Sequence, residues 1–127
     1  MKAKKIAFTG IPVTDVKRAR AFYEGVLGLD VSGEFGDGVW IEYEIGSDTL
    51  AIGNVGDQWK PSEDGTSVAI EVEDFDAAIK SLKQAKVPFA AEGIESPVCW
   101  MAVVQDPDGN TLIIHKLTPV NEKGTSK

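Results

Sequence analysis

The sequence predicts an α+β fold made of two βαβββ repeats, and three observations lead there. A β-prone run followed by an acidic residue and an apolar helical face occurs twice. Short segments align across the two halves: Val13-Thr14-Asp15 with Val72-Glu73-Asp74, and Thr49-Leu50-Ala51-Ile52 with Thr111-Leu112-Ile113-Ile114. A stretch rich in turn formers separates the halves. The expected organisation is a single domain over 1–127: repeat one about 5–53, a linker about 54–65, repeat two about 66–117, and a flexible polar tail over 118–127.

In repeat one, Ile6 to Val13 reads as a strand and Asp15 as an N-cap, its carboxylate placed to accept from the first helical turn. Ala19, Phe22, Tyr23, Val26 and Leu27 then recur at helical spacing on one face, and Gly28 is placed to end the helix in the left-handed conformation. Strands follow around Leu29–Ser32, Val39–Ile45 and Thr49–Ile52. In repeat two, Ser67 to Val72 is the strand and Asp74 the N-cap. Phe75, Ala78, Ile79, Leu82 and Ala85 form the apolar face, and Pro88 is expected to stop the helix. Strands follow near Phe89–Gly93, Trp100–Val104 and Thr111–Lys116.

Composition narrows the partners. With 20 acidic and 13 basic residues the net charge is −7, which disfavours nucleic acid and anionic membrane surfaces alike. No run approaches the roughly 20 apolar residues of a membrane span. The single Cys99 allows no internal disulfide, and Met1-Lys2-Ala3-Lys4-Lys5 leads into a strand-like run instead of a signal peptide. A cytoplasmic protein is therefore expected. Cys99 has no cationic neighbour in sequence to activate it, so an inert thiol is the simpler reading. Lys17-Arg18-Arg20 reads as a solvated helix face, and Asp106-Pro107-Asp108-Gly109 as a turn with Gly109 at positive φ.

Val13-Thr14-Asp15, Ala21-Phe22-Tyr23, Leu27-Gly28-Leu29, Val72-Glu73-Asp74 and Asp106-Pro107-Asp108-Gly109-Asn110, in this order and spacing, resemble the vicinal oxygen chelate superfamily. That superfamily includes glyoxalase I, bleomycin-resistance proteins and extradiol dioxygenases. The resemblance covers Ile6 to Leu117 and implies two units forming a half-barrel around a central cavity, with a homodimer expected. In metal-dependent members the ligands come from the first and last strands of each unit. Carried over by motif, those positions are Phe8, Ala51, Ser67 and Ile113. None is a usual ligand for zinc, iron or nickel, so no metal and no cofactor are expected. Glu42, Glu44 and Glu71 are the carboxylates available to a hard ion such as Mg²⁺, but their spacing does not make them converge.

Strand periodicity sorts the faces. Ile11 and Val13, Val68, Ile70 and Val72, Leu50 and Ile52, and Leu112 and Ile114 are expected under the helices. The opposite face receives Phe8, Gly10 and Pro12, with Ser67, Ala69 and Glu71. It also takes Thr49, Ala51 and Gly53, with Thr111, Ile113 and His115. Trp40 is in phase with Glu42 and Glu44, and Trp40 with Glu42 offers a π face beside a carboxylate, suited to a cationic or amphipathic ligand. Trp59, in the linker, is placed to be a lid or a dimer contact, and packing is the simpler role for each tryptophan, Trp100 included.

The expected ligand-binding set is thus Phe8, Trp40, Glu42, Ala51, Ser67, Ile113 and His115, with His115, the only histidine, also the candidate catalytic base. The expected function is metal-independent binding of a small organic molecule in an apolar cavity between the repeats. Two alternatives stay open. One is a lyase- or dioxygenase-like enzyme using His115 and a glutamate, or an unrecognised metal site. The other is an interaction or structural protein with a filled cavity.

Overall fold

The structure, a computed structural model, describes residues 1–118. The expected tail from Pro119 onward lies outside the described residues. Thr118, taken as its first residue, is tied down, its N–H donating to Val98 O at 3.0 Å. The chain divides into two compact units, Met1–Pro61 and Ser62–Lys127. Among the described residues, no helix is long and apolar enough to cross a membrane.

In the first unit, β1 (Thr9–Pro12) leads to α1 (Val16–Arg20), which runs on as a π-helical segment (Ala21–Val26). β2 (Asp30–Phe35), β3 (Trp40–Ile45) and β4 (Asp48–Gly53) follow. The sheet order is β1-β4-β3-β2, with β1 parallel to β4 and the other pairs antiparallel. The second unit repeats this with β5 (Val68–Glu71), α2 (Phe75–Gln84), β6 (Phe89–Glu95), β7 (Cys99–Gln105) and β8 (Thr111–Leu117), in the order β5-β8-β7-β6. The fold is α+β, two mixed four-stranded sheets each with its helix, and neither sheet closes into a barrel. The edge strands β2 and β6 both carry register shifts that mark bulges, a common way to blunt an exposed edge.

Both N-caps form as expected. Asp15 Oδ1 accepts from the Arg18 N–H at 3.1 Å, and Asp74 Oδ1 from the Ala77 N–H at 3.0 Å. The helix-side cores largely follow the strand phase, although Val68, Ile70 and Val72 are only half-buried. Ile11, Val13, Ile41, Tyr43, Leu50 and Ile52 are buried with Ala19, Phe22 and Tyr23 in the first unit, where the Tyr23 and Tyr43 rings stack at 6.1 Å. Ala102, Val104, Leu112 and Ile114 are buried with Leu82 and Val87 in the second.

Five expectations need correction. The first strand starts at Thr9, not Ile6, which is 82% exposed. The first helix is α-helical for only five residues before widening into the π segment, where the Leu27 N–H reaches back five residues to Phe22 O. Pro88 does not stop α2. That helix closes earlier, on Lys86 at φ +61°, with the Lys86 N–H donating to Lys83 O and the Val87 N–H to Leu82 O. Those two bonds form a Schellman motif. Ala85, expected on the apolar face, is the exposed cap of this end. Finally, Arg20 is not a solvated cation. Its Nε and Nη2 donate to Glu24 at 2.6 and 3.3 Å and its Nη1 to Glu34 at 2.9 Å, while the buried Tyr43 hydroxyl donates to Glu24 at 2.9 Å.

Candidate functional site

Each sheet has one face under its helix and one open face, and the expected site residues fall on the open faces. In the first unit, Trp40 and Glu42 project from β3, Ala51 from β4 and Gly10 from β1, with Gly10 paired to Ala51 and Ala51 to Glu42. Phe8 lies just before β1, outside the strand, and is about half exposed. Its ring still meets Trp40 edge to face, with centroids 5.5 Å apart. Trp59, from the segment after β4, stacks on Trp40 at 5.9 Å with planes 24° apart. This face is therefore an aromatic platform of Phe8, Trp40 and Trp59.

Two glycines make room for the platform. A Cβ on Gly10 would stand 3.3 Å from the Trp59 ring, and one on Gly53 would stand 2.5 Å from Trp40 Cε3. The platform has one fixed polar group. Trp40 Nε1 donates to Glu42 Oε2 at 2.9 Å, which orients the carboxylate beside the indole and leaves its second oxygen to accept from another donor. A π surface beside an oriented carboxylate can hold a flat ring and a cationic or hydrogen-bond-donating substituent.

In the second unit, Ser67 Oγ and Thr111 Oγ1 share a hydrogen bond of 2.5 Å. Ile113 pairs with Ala69 and Val103 across the sheet. His115 pairs with Glu71 on β5 and Met101 on β7. Its Nδ1 lies 2.5 Å from Glu71 Oε1, and Glu71 Oε2 accepts from the Leu117 N–H at 2.8 Å. Burial pushes the Glu71 carboxyl up, but the Leu117 amide, the His115 ring and nearby Lys116 outweigh it, so the group is held below the usual carboxylate range.

The seven expected residues are thus divided: Phe8, Trp40, Glu42 and Ala51 in the first unit, Ser67, Ile113 and His115 in the second. Sequence reasoning placed Trp59 only as a lid or contact and did not pair Glu71 with His115. The signal for that pair was available, since the two positions are in phase on strands that the repeat makes neighbours. Cys99 is buried in the core beside Ser96 Oγ at 3.4 Å. Trp100 turns to the helix side, 6.5 Å from Phe75, and donates to Glu95 at 3.3 Å. The Asp106–Asn110 run is the expected turn: Asp106 Oδ1 accepts from the Asp108 and Asn110 amides, with Gly109 at φ +86°.

The donor chemistry of the four motif positions does not fit a transition metal. Phe8, Ala51 and Ile113 offer no side-chain donor, and the Ser67 hydroxyl is engaged with Thr111. Among the described residues, no three His, Cys, Asp or Glu side chains come together as a metal-binding group, so Glu42, Glu44 and Glu71 do not form one.

Similar folds are found among solved structures. TnmS3, an antibiotic binding protein from Streptomyces sp. CB03234, aligns with a TM-score of 0.77 at 20% identity, over 93% of this chain and 99% of that one. A glyoxalase/dioxygenase from Nostoc punctiforme aligns at 0.76 with 18% identity, over 91% and 92%. A glyoxalase/bleomycin resistance protein from Streptomyces sp. CB03234 aligns at 0.72 with 22% identity, over 87% and 98%. No curated protein matches the sequence. The family model described as Glyoxalase/Bleomycin resistance protein/Dioxygenase superfamily matches residues 5–114, and the chain belongs to that superfamily.

Proposed function

We propose that this protein binds a small organic molecule without a transition metal, on the open face of the first unit. The ligand class is a planar aromatic molecule carrying a cationic or donor group. The observation that carries this reading is the Phe8–Trp40–Trp59 platform with Glu42 oriented at its edge. A flat ring can extend the tryptophan stack, worth about 0.5–1.5 kcal/mol per aromatic pair beyond area burial, while Glu42 takes the substituent. The fold shared with an antibiotic binding protein supports the binding of a small organic molecule. Ala51 is fully buried beneath this face, between its register partners Gly10 and Glu42, and does not itself meet the ligand.

The test is a titration of tryptophan fluorescence and melting temperature with bleomycin and with proflavine, a planar aromatic cation. Binding should quench the tryptophans and raise the melting temperature, a ligand at about 100 times its Kd stabilising the fold by ~2.7 kcal/mol. Trp40→Ala should weaken binding at least about tenfold, or ~1.4 kcal/mol. No response to either probe would count against the reading. So would elemental analysis showing one tightly held transition metal per chain in protein purified without chelator.

A further inference from the structure

The open face of the second unit has no aromatic platform. Its distinctive feature is a His–carboxylate pair among apolar neighbours. His115 and Glu71 are cross-strand partners, and Ala69, Met101 and Ile113 surround them on that face. Glu71 is held at both oxygens, by the His115 ring on Oε1 and by the Leu117 N–H on Oε2. An oxygen receiving an amide N–H is an acceptor, and an ionised carboxylate accepts only. The proton between Glu71 and His115 therefore belongs to Nδ1. In the neutral ring this tautomer places the lone pair on Nε2. The side chain of His115 is 20% exposed, so the ring is packed but reachable.

The pair is not needed to hold the sheet together. Its counterparts in the first unit are Pro12 and Gly53, which are register partners like Glu71 and His115. The backbone bond that follows is the same in both units: the Val13 N–H donates to Gly53 O at 2.9 Å, and the Val72 N–H to His115 O at 2.9 Å. One sheet forms with no side-chain pair at this place, and the other carries an oriented base there.

We propose that Glu71 and His115 form a proton-accepting site for a molecule with an acidic hydroxyl, a phenol or an enol. In the step, the ligand's O–H bond breaks, a new N–H bond forms at His115 Nε2, and the electron pair stays on the ligand oxygen. The resulting imidazolium lies against the Glu71 carboxylate, which stabilises it. No oxidant, reductant or metal takes part. His115 touches the ligand, and Glu71 is a positioning residue acting through it. The charged group facing the ring is Glu71 on β5, while Lys116, the next residue on β8, projects to the other face of the sheet.

The experiment uses 4-nitrophenol, whose ionisation is visible by absorbance, at a pH below its own midpoint. His115 is the only histidine, so its ring NMR signals are unambiguous. Wild-type protein should raise the phenolate fraction in proportion to the ligand bound, and the ring signals should move toward imidazolium in step. His115→Gln should lose the phenolate gain. Glu71→Gln should lower the bound phenolate-to-phenol ratio about tenfold, equivalent to one pK unit, and shift the ring's pH profile. The wild-type ring shift needs no variant to fold. The proposal is overturned if 4-nitrophenol leaves the ring signals unmoved, even if it quenches tryptophan. It is also overturned if a folded His115→Gln keeps the phenolate gain, or if Glu71→Gln leaves the ring's pH profile unchanged.

Discussion

The two units share a frame and differ on the face that the frame presents. On the first and last strands and at the caps the helix-side positions match across the repeats: Asp15 with Asp74, Leu50 with Leu112 and Ile52 with Ile114, while on the middle strand Ile41 stands against Ala102 and Tyr43 against Val104. Open-face positions in the same register do not. Phe8 stands against Ser67, Trp40 against Met101, Glu42 against Val103, Pro12 against Glu71 and Gly53 against His115. Burial under a helix keeps a position largely apolar and closely packed, whereas an open face tolerates any chemistry that leaves the strand ladder intact. One scaffold thus carries a stacking surface in one copy and an oriented imidazole in the other.

The shared frame can be broken most severely at its core. Ile52→Ala and Ile114→Ala should each cost about 2–5 kcal/mol, by lost burial and the cavity left behind. The two costs should be similar, as read from urea midpoints, and a large inequality would show that the units are not packed alike. The open faces are separated next by Gly53→Ala. The new Cβ would meet Trp40 Cε3 at 2.5 Å and so must tip the indole, at about 1–3 kcal/mol. The same position in the second unit carries His115 without conflict because its neighbour is Met101, not a tryptophan. An unchanged tryptophan emission spectrum in Gly53→Ala would refute this account of the platform.

The units also differ in their helices. From N-cap to left-handed residue, Asp15 to Gly28 contains one residue more than Asp74 to Lys86, and the π segment absorbs it. Glu24 in that segment is anchored by Arg20 and Tyr43. Tyr43→Phe removes the hydroxyl donor and should cost about 1–2 kcal/mol, with no parallel in the second unit, where Val104 faces Leu112 at that register. The Arg20 guanidinium, opposed by burial and helped by the Tyr43 hydroxyl, holds Glu24 below its ordinary value of 4.5. A carboxylate lowered on folding adds stability that is complete above its unfolded value and is lost as pH falls through the folded one. Unfolding scans from pH 6 downward should therefore show stability falling below about 4.5, and Glu24→Gln should flatten that fall.

Strand phase and caps were legible because each depends on local pattern: period two puts Ile52 and Ile114 under helices whatever the rest of the chain does. The four motif positions came instead from the resemblance to the superfamily, and the lack of side-chain donors at three of them follows from the residue types alone. The π segment was not legible, since a single extra residue changes no apolar periodicity that a helical template would detect. Arg20 looked solvated because its partners lie on the next helical turn and on β2, and its link to Glu34 depends on tertiary placement. Trp59 looked like linker because only the fold brings it over Gly10.

The smallest effect compares the two helix ends. Both helix ends turn through a left-handed residue, Gly28 at φ +72° in the first unit and Lys86 at φ +61° in the second. A side chain in this region crowds its own backbone, and glycine escapes the penalty. Lys86 is exposed, so replacing it loses little packing, although glycine gives the unfolded chain more freedom. The strain relieved should win by a small margin, and Lys86→Gly should stabilise the protein by about 0.5–1 kcal/mol. Gly28→Ala, which puts a Cβ where none is now, should destabilise by a similar amount. A Cβ at Gly28 would meet no heavy atom within 4 Å, so any cost there is backbone strain and not collision. If Lys86→Gly instead lowers the urea midpoint, the lysine stem is packing on the helix end, and the two ends are stabilised by different means.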